Sequence, residues 1–476
     1  MWKLSDNQHL PIYQQIIKLI EQKINSGQLL TGEKLPAERK LAELLGVNRS
    51  TVIRAFDELV ERGVLIRRRG SGTTINQDKW GVAPQQTTNW RHYVDQSSFL
   101  PASPYIRKTH VLLKNPDNDI LDLATGELPL DLIPEITMPS YSWRDLIAEE
   151  KNEEIEGYFP LRQTIQHHLL NRQQILALPE QILITSGAQQ ALFMITQCLL
   201  RPGDTIAIES PSYLYALPLF QSAGLRIVAL PMDKEGIQPD DLERLYHKFA
   251  IKMVFLNPTL QNPTGLMMPQ QRRKEIIALC TKLNLPIVED HSYAELSFDH
   301  TAQPPTLKQL DHQNVLYIGS LSKVMGSMTR IGWLVGPAAV IKHLAEARQE
   351  MDFGLSIFPQ VLANHVLNNT SFHQHLTRLR DTLKHRCDDL ISALNNTIQE
   401  DIDFAIPQGG MHLWCKLHPS YNITRVTQKL LEQNMLVMPA GVFGSKENAL
   451  RLTFARLNKD VAQLAAFRLQ QVLKDP

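Results

Sequence analysis

Four side chains in the second half of this sequence could together do carbonyl chemistry: Asn262, Asp290, Lys323 and Arg330. A lysine amine condenses with an aldehyde once its neighbours control its protonation. Lys323 lies in Gly319-Ser320-Leu321-Ser322-Lys323, just beyond the apolar run Val315-Leu316-Tyr317-Ile318. Asp290 closes a second such run, Leu285 to Glu289, and Asn262 follows a third, Met253 to Leu256. An amine near a carboxylate and an anion site is the arrangement that a pyridoxal phosphate (PLP) pocket requires.

The elements that must position these groups alternate along the chain. Gln181–Ser186, Thr205–Glu209, Arg226–Leu230, Met253–Leu256, Leu285–Glu289 and Val315–Ile318 read as buried strands. Helical stretches such as Gln189–Leu200 and Gln270–Leu283 separate them. That alternation predicts an α/β domain with a mostly parallel sheet. From about Pro359 to Pro476 the pattern is helical first and mixed afterwards, which predicts a smaller α+β lobe.

Residues 119–470 resemble the fold-type I aminotransferases on four motifs in order: Pro258-Thr259-Leu260-Gln261-Asn262-Pro263-Thr264-Gly265, Glu289-Asp290-His291-Ser292-Tyr293, Ser320-Leu321-Ser322-Lys323 and Arg330-Ile331-Gly332-Trp333. The resemblance implies that Lys323 is the Schiff-base residue and that Asp290 faces the pyridinium nitrogen. It implies Asn262 and Tyr293 at the ring oxygen, and Tyr213 stacked on the ring. Phosphate is expected on the amides of Gly187, Ala188 and Gln189, on Ser320 and on Arg330, because a helix start with a nearby cation binds anions. Arg451 matches the arginine that grips an amino acid's α-carboxylate, a contact its planar fork suits. One position departs from the pattern. Asn152 stands where the family often has a tyrosine reaching the neighbouring subunit's phosphate, and Tyr158 is the nearest substitute.

Residues 1–78 form a separate unit. Helical periodicity runs over Pro11–Ser26, with apolar positions from Ile12 onward, and over Ala37–Leu45, with Leu41, Leu44 and Leu45 inward. A third helix, Arg49–Arg62, follows the turn Gly46-Val47-Asn48, and Val64–Thr73 reads as a β-hairpin with a basic, glycine-bearing tip. Gly32–Ala42, Gly46–Val52 and a wing containing Gly70 resemble the GntR-type winged helix. In that resemblance Arg39, Asn48, Arg49, Ser50, Thr51, Arg54 and Gly70 meet DNA. The amino-terminal residues of the recognition helix enter the major groove, where Arg49 can read a guanine edge. Arg67, Arg68 and Arg69 add basic charge to the hairpin.

The bulk numbers agree with several domains. The chain has 476 residues, 43% hydrophobic and 21% charged, with 49 basic and 49 acidic side chains, so wholesale polyanion binding is not expected. Cys198, Cys280, Cys387 and Cys415 lack metal-ligand spacing and read as reduced thiols, and no metal site is expected. A cytoplasmic protein follows from the absence of a leader or a spanning segment. Residues 79–118, rich in Pro and Gln, read as a linker, although Trp80, Trp90, Phe99 and Tyr105 suggest that parts dock on the body. The body is then 119–476.

Taken together, the chain resembles the MocR subgroup of GntR regulators. The resemblance implies a homodimer that binds an operator in double-stranded DNA. Its PLP-binding body would sense an amino acid, an amine or PLP itself through external aldimine formation. A metabolic enzyme is not expected, though a working aminotransferase with an accessory head shares every site residue. A body that has lost the cofactor and serves as scaffold is a third possibility, which the intact Lys323, Asp290, Asn262 and Tyr293 set disfavours.

Overall fold

The computed structural model describes residues 2, 4, 10–26, 28–30, 32–68, 72–76, 97, 103–114, 119–137, 139–299, 303–352 and 354–474. The chain divides into two compact units, Met1–Ser97 and Ser98–Pro476.

In the first unit, three helices, α1 (Ile12–Asn25), α2 (Glu38–Leu45) and α3 (Arg49–Glu61), precede a hairpin of β1 (Leu65–Arg68) and β2 (Gly72–Ile75). Ile16, Ile17 and Ile20 of α1 pack with Val52, Ala55, Phe56 and Leu59 of α3 and with Leu35, Leu41 and Leu65. Gly46 ends α2 in the left-handed region (φ 66°), which a residue without Cβ enters at no steric cost. Asn48 caps α3, its Oδ1 accepting from the Ser50 amide at 3.3 Å. The hairpin is antiparallel, from Leu65 opposite Ile75 to Arg68 opposite Gly72. One inward expectation fails: Leu44 is 49% exposed, and Ile12, which opens α1, is exposed to the same degree. Leu41 and Ala42 form the buried stripe of α2, and Leu44 lies about 200° around the helix from Ala42. Arg69, Gly70 and Ser71, the tip of the wing, lie outside the described residues.

The second unit holds an eight-stranded sheet made of β3 (Ile182–Thr185), β4 (Thr205–Ser210), β5 (Arg226–Asp233), β6 (Gly236–Ile237), β7 (Ile251–Leu256), β8 (Ile287–Asp290), β9 (Val315–Ser320) and β10 (Gly332–Val335). Their spatial order is β3-β10-β9-β8-β7-β4-β5-β6. Strands β5, β4, β7, β8 and β9 run parallel, each to its neighbour. All six strands expected from the apolar runs are present. The two without such a run are β6, a two-residue hairpin partner of β5, and β10, antiparallel to both β9 and β3. Every residue of β3, β8 and β10 is buried, so these strands, parallel and antiparallel alike, lack the polar alternation of half-exposed ones.

A second sheet, β11 (Ile402–Phe404), β12 (His412–Leu417), β13 (Met438–Pro439) and β14 (Ala449–Thr453), is antiparallel with order β11-β12-β14-β13. It forms the smaller lobe. Register sets His412 opposite Thr453 and Trp414 opposite Arg451. Side chains two apart on a strand share a face, so Arg451 and Thr453 project together. Within the stretch expected as linker, Pro104–Leu113 is a helix of the second unit, and the Tyr105 hydroxyl donates to Val437 O at 2.7 Å. Trp80, Trp90 and Phe99 lie outside the described residues. Among the described residues no helix is long and apolar enough to cross a membrane, and no cluster of metal-ligating groups is present.

Candidate functional site

Ser210, Asn257, Asp290 and Ser320 all sit at the carboxyl ends of β4, β7, β8 and β9. Such ends open onto a crevice with free backbone groups, the common ligand site of open α/β sheets. Lys323, one residue past β9 and its Leu321-Ser322 turn, donates from Nζ to Gly126 O at 2.7 Å and lies 5.3 Å from the centre of the Tyr293 ring. Asp290 is buried. Its Oδ1 accepts from the Ser292 amide at 2.9 Å and the Ser292 hydroxyl at 2.6 Å, and its Oδ2 accepts from the Tyr213 hydroxyl. Burial, reinforced by the Asp290 charge, holds that hydroxyl well above its usual range, so Tyr213 stays a donor.

Asn262 joins the two lobes. Its Oδ1 accepts from Arg451 Nη1 at 3.0 Å, and its Nδ2 donates to the Tyr293 hydroxyl at 3.4 Å. Its amide is held by Asn257 Oδ1 at 2.8 Å, while Asn257 Nδ2 donates to Asp290 O at 2.7 Å. Burial pulls the Arg451 guanidinium down to about 10, which leaves it charged at neutral pH. Its Nη2 donates to Ala124 O, but its buried Nε has no hydrogen-bond partner among the described residues. An unpaired buried donor costs free energy, so that nitrogen suits an anionic ligand.

At the adjoining end, Gly187 (φ 80°) opens the helix Ala188–Cys198, whose first amides have no side-chain cap. Gly332 of β10 passes so close that a Cβ there would stand 2.8 Å from Gly187 C and 2.9 Å from Gly319 O. Only glycine permits that approach, which seats the helix start beside β9. Ser320 Oγ accepts from the Ser322 amide at 3.2 Å. Arg330 is exposed, takes a left-handed conformation (φ 49°) and forms no hydrogen bond or ion pair with a described residue. Amides at a helix start, a serine and an uncommitted guanidinium make a fitting phosphate cradle. The residues present therefore suit PLP. The structure brings Lys323, Asp290, Asn262, Tyr213, Tyr293 and Arg451 into one linked cluster, whereas no hydrogen bond joins Arg330 to it.

Several contributing residues carry no motif. His412 meets the Tyr293 hydroxyl through Nε2 at 3.2 Å. Glu209, at the end of β4, is wholly buried and accepts from the Asn257 amide at 3.1 Å and Gln261 Nε2 at 3.0 Å. The one available signal was an acid directly after the apolar run Thr205–Ile208. Burial pushes its carboxyl up to about 8 against those two hydrogen bonds, so it is held neutral. A raised carboxyl stabilises the fold fully below its unfolded value of 4.5 and loses that contribution as pH rises toward 8. Glu209→Gln, which cannot ionise, is therefore expected to match the parent near pH 4.5. Above pH 8 it should exceed the parent's Tm by a few degrees, the size of about 1–2 kcal/mol in a domain this large. Equal Tm values at both pH extremes would show that Glu209 is not held neutral.

The Asn152 departure has a structural counterpart. Asn152 Nδ2 donates to Glu149 Oε2 at 2.8 Å, and the Tyr158 hydroxyl donates to the same oxygen at 2.7 Å. Tyr158 is thus committed within its own subunit.

On the first unit, Arg39, Asn48, Arg49, Ser50 and Arg54 are exposed and Thr51 is half-buried. Arg49 pairs with Glu38 at 3.5 Å and is 63% exposed. Arg39 pairs with Glu43 at 3.5 Å, and Arg54 lies 4.1 Å from the centre of the Tyr13 ring. Arg67 is held by Glu38 at 2.9 Å and Asp57 at 2.7 Å, so its charge is partly neutralised in place.

Residues 12–75 match the family of bacterial regulatory proteins, gntR family, and residues 118–469 match aminotransferase class I and II. An uncharacterized HTH-type transcriptional regulator of Bacillus subtilis (strain 168), YdfD, is 34% identical over 473 residues, covering 98% of this chain and 97% of that one. A second from the same organism, YisV, is 35% identical and covers 95% and 94% of the two chains. Among solved structures, Pyrococcus horikoshii kynurenine aminotransferase in complex with PMP superposes with a TM-score of 0.71 at 28% identity, over 79% of this chain and 95% of that one.

Proposed function

The chain is a transcription regulator and belongs to the MocR subfamily of GntR proteins, a winged helix-turn-helix fused to an aminotransferase-like domain, and from that premise we propose that it is a PLP-binding sensor of an amino-group ligand. The carrying observation is the cluster of Lys323, Asp290, Tyr293, Asn262 and Arg451 beside a phosphate-type cradle, in a chain that also holds a recognition helix. Residues 1–78 act as the DNA-binding head, 79–118 as linker and 119–476 as the sensing and dimerising body.

When bound, PLP supplies an electrophilic aldehyde carbon and an electron-withdrawing ring. Lys323 would hold that carbon and would give way only to the nitrogen of an amino acid or amine, whereas PLP as the sensed ligand would act by filling the pocket itself. Asp290 keeps a proton on the ring nitrogen, and Tyr213 lies against the ring. Asn262 and Tyr293 face the ring oxygen, and the amides of Gly187, Ala188 and Gln189 hold the phosphate with Ser320 and Arg330. Arg451 receives a ligand carboxylate, using the Nε that has no partner among the described residues. Closure of the lobes on the ligand shifts a homodimer's two heads, which read operator half-sites a multiple of ~34 Å apart. The engagement of Tyr158 with Glu149 favours sensing over turnover, because that hydroxyl is not free for a neighbouring subunit's phosphate.

The test is operator binding by the full chain with and without PLP, amino acids and simple amines. Arg451→Ala should weaken the response to amino acids at least tenfold, the scale of a charged contact of about 1.5–3 kcal/mol, while a carboxylate-free amine keeps its effect. Operator binding indifferent to PLP and to every amine would overturn the reading.

A further inference from the structure

Three buried groups form a line: Thr453 Oγ1 lies 3.0 Å from His412 Nδ1, and His412 Nε2 lies 3.2 Å from the Tyr293 hydroxyl. The Thr453 side chain is fully buried, and this is its one hydrogen bond among the described residues. Its hydroxyl hydrogen therefore goes to Nδ1, since a buried orphan donor is costly. A neutral imidazole that accepts at Nδ1 carries its proton on Nε2. Burial, with the charges of Arg451 and Lys323 adding to it, keeps that ring neutral by lowering its pKa well below the usual value. The titratable and charged groups facing it are Tyr293 from the loop after β8, Lys323 after β9 and Arg451 on β14.

The second donor to Tyr293 is fixed by the same logic. Arg451 can only donate, so the Asn262 oxygen faces Arg451 Nη1 and its NH2 faces Tyr293. The Tyr293 oxygen thus accepts from His412 and from Asn262, and its own hydrogen has no acceptor among the described residues. We infer that His412, set in one tautomer by Thr453, is a positioning residue that aims the Tyr293 hydroxyl hydrogen at the PLP ring oxygen and so governs how tightly Lys323 Nζ holds its proton. Gly126 supports the arrangement from the other side. A Cβ on it would stand 3.3 Å from the imidazole Cε1, and its carbonyl holds Lys323 Nζ.

The inference rests on the PLP reading of the Lys323 pocket, and its sign is testable. A ring oxygen that already accepts from Tyr293 attracts the Nζ proton less, so the present geometry lowers the pH at which that proton is lost. The measurement is the pH midpoint of the cofactor's visible absorbance change in the full chain loaded with PLP. His412→Phe should raise the midpoint by about half a unit or more, roughly a threefold change in proton affinity. His412→Gln, which keeps a donor near Nε2, should restore part of it. Thr453→Val frees the tautomer and should raise the midpoint by a smaller amount, which keeps the test decisive if the phenylalanine variant does not fold. An unmoved or lowered midpoint in a loaded Thr453→Val or His412→Phe chain overturns the role of His412. A parent chain that takes up no PLP overturns the pocket reading and this inference with it.

Discussion

Lys323→Ala is expected to lose all borohydride-fixable cofactor and to bind PLP at least a hundredfold more weakly, about 2.7 kcal/mol. The reason is local to one nitrogen. Among the described residues Nζ is tied to Gly126 O and the face of Tyr293, and it can leave both for a carbonyl carbon. Alanine removes that nucleophile but leaves Asp290, the helix-start amides and Arg330, which is why weak binding should persist. The fold should tolerate the change, because a single hydrogen bond to a backbone oxygen contributes about 1 kcal/mol. Absorbance of the purified variant, followed by reduction and mass measurement, reads the outcome. Cofactor fixed by reduction in the alanine chain would place the reactive amine elsewhere. The same variant should bind operator DNA yet ignore added amines, which separates loss of sensing from loss of the head.

Arg49→Ala should do the reverse. Arg49 opens α3, is largely exposed and pairs with Glu38 at 3.5 Å. An exposed pair of this kind contributes little to stability, so the head should fold normally without it. A bidentate arginine–guanine contact is worth about 1–3 kcal/mol, and paired heads make it twice. Operator affinity should then fall on the order of a hundredfold or more, while cofactor absorbance stays unchanged. Quantitative footprinting at fixed salt measures the loss, since phosphate contacts make every such affinity depend on ionic strength. Undiminished sequence-specific binding would exclude Arg49 from the operator contact. Arg67 gives a useful contrast. Glu38 and Asp57 already hold it, so its removal should change operator affinity far less.

Much of this molecule is written locally. The three helices of the head and six strands of the large sheet were visible because apolar spacing and caps are read within a few residues: Gln270–Leu283 is a helix over that same span. Strand β10, Gly332–Val335, was not read as a strand because it begins inside the Arg330-Ile331-Gly332-Trp333 motif, and its antiparallel place between β3 and β9 is a property of the sheet. Leu44 illustrates the opposite failure, an apolar residue whose angular position on a short helix leaves it outside.

Sequence alone determined which chemical groups the body owns: an amine after β9, a carboxylate closing β8, an asparagine after β7 and an arginine on β14. Apolar runs end where a polar residue stops them, so strand ends and their polar neighbours can be read in order along the chain. Only the tertiary structure decided which of these groups face one another and in which sense each proton points. Arg451 meets Asn262 across 189 positions, Tyr293 meets His412 across 119, and Glu209 meets Gln261 across 52. Partners so far apart are chosen by tertiary packing, where most buried donors must find an acceptor, and no local pattern encodes that pairing.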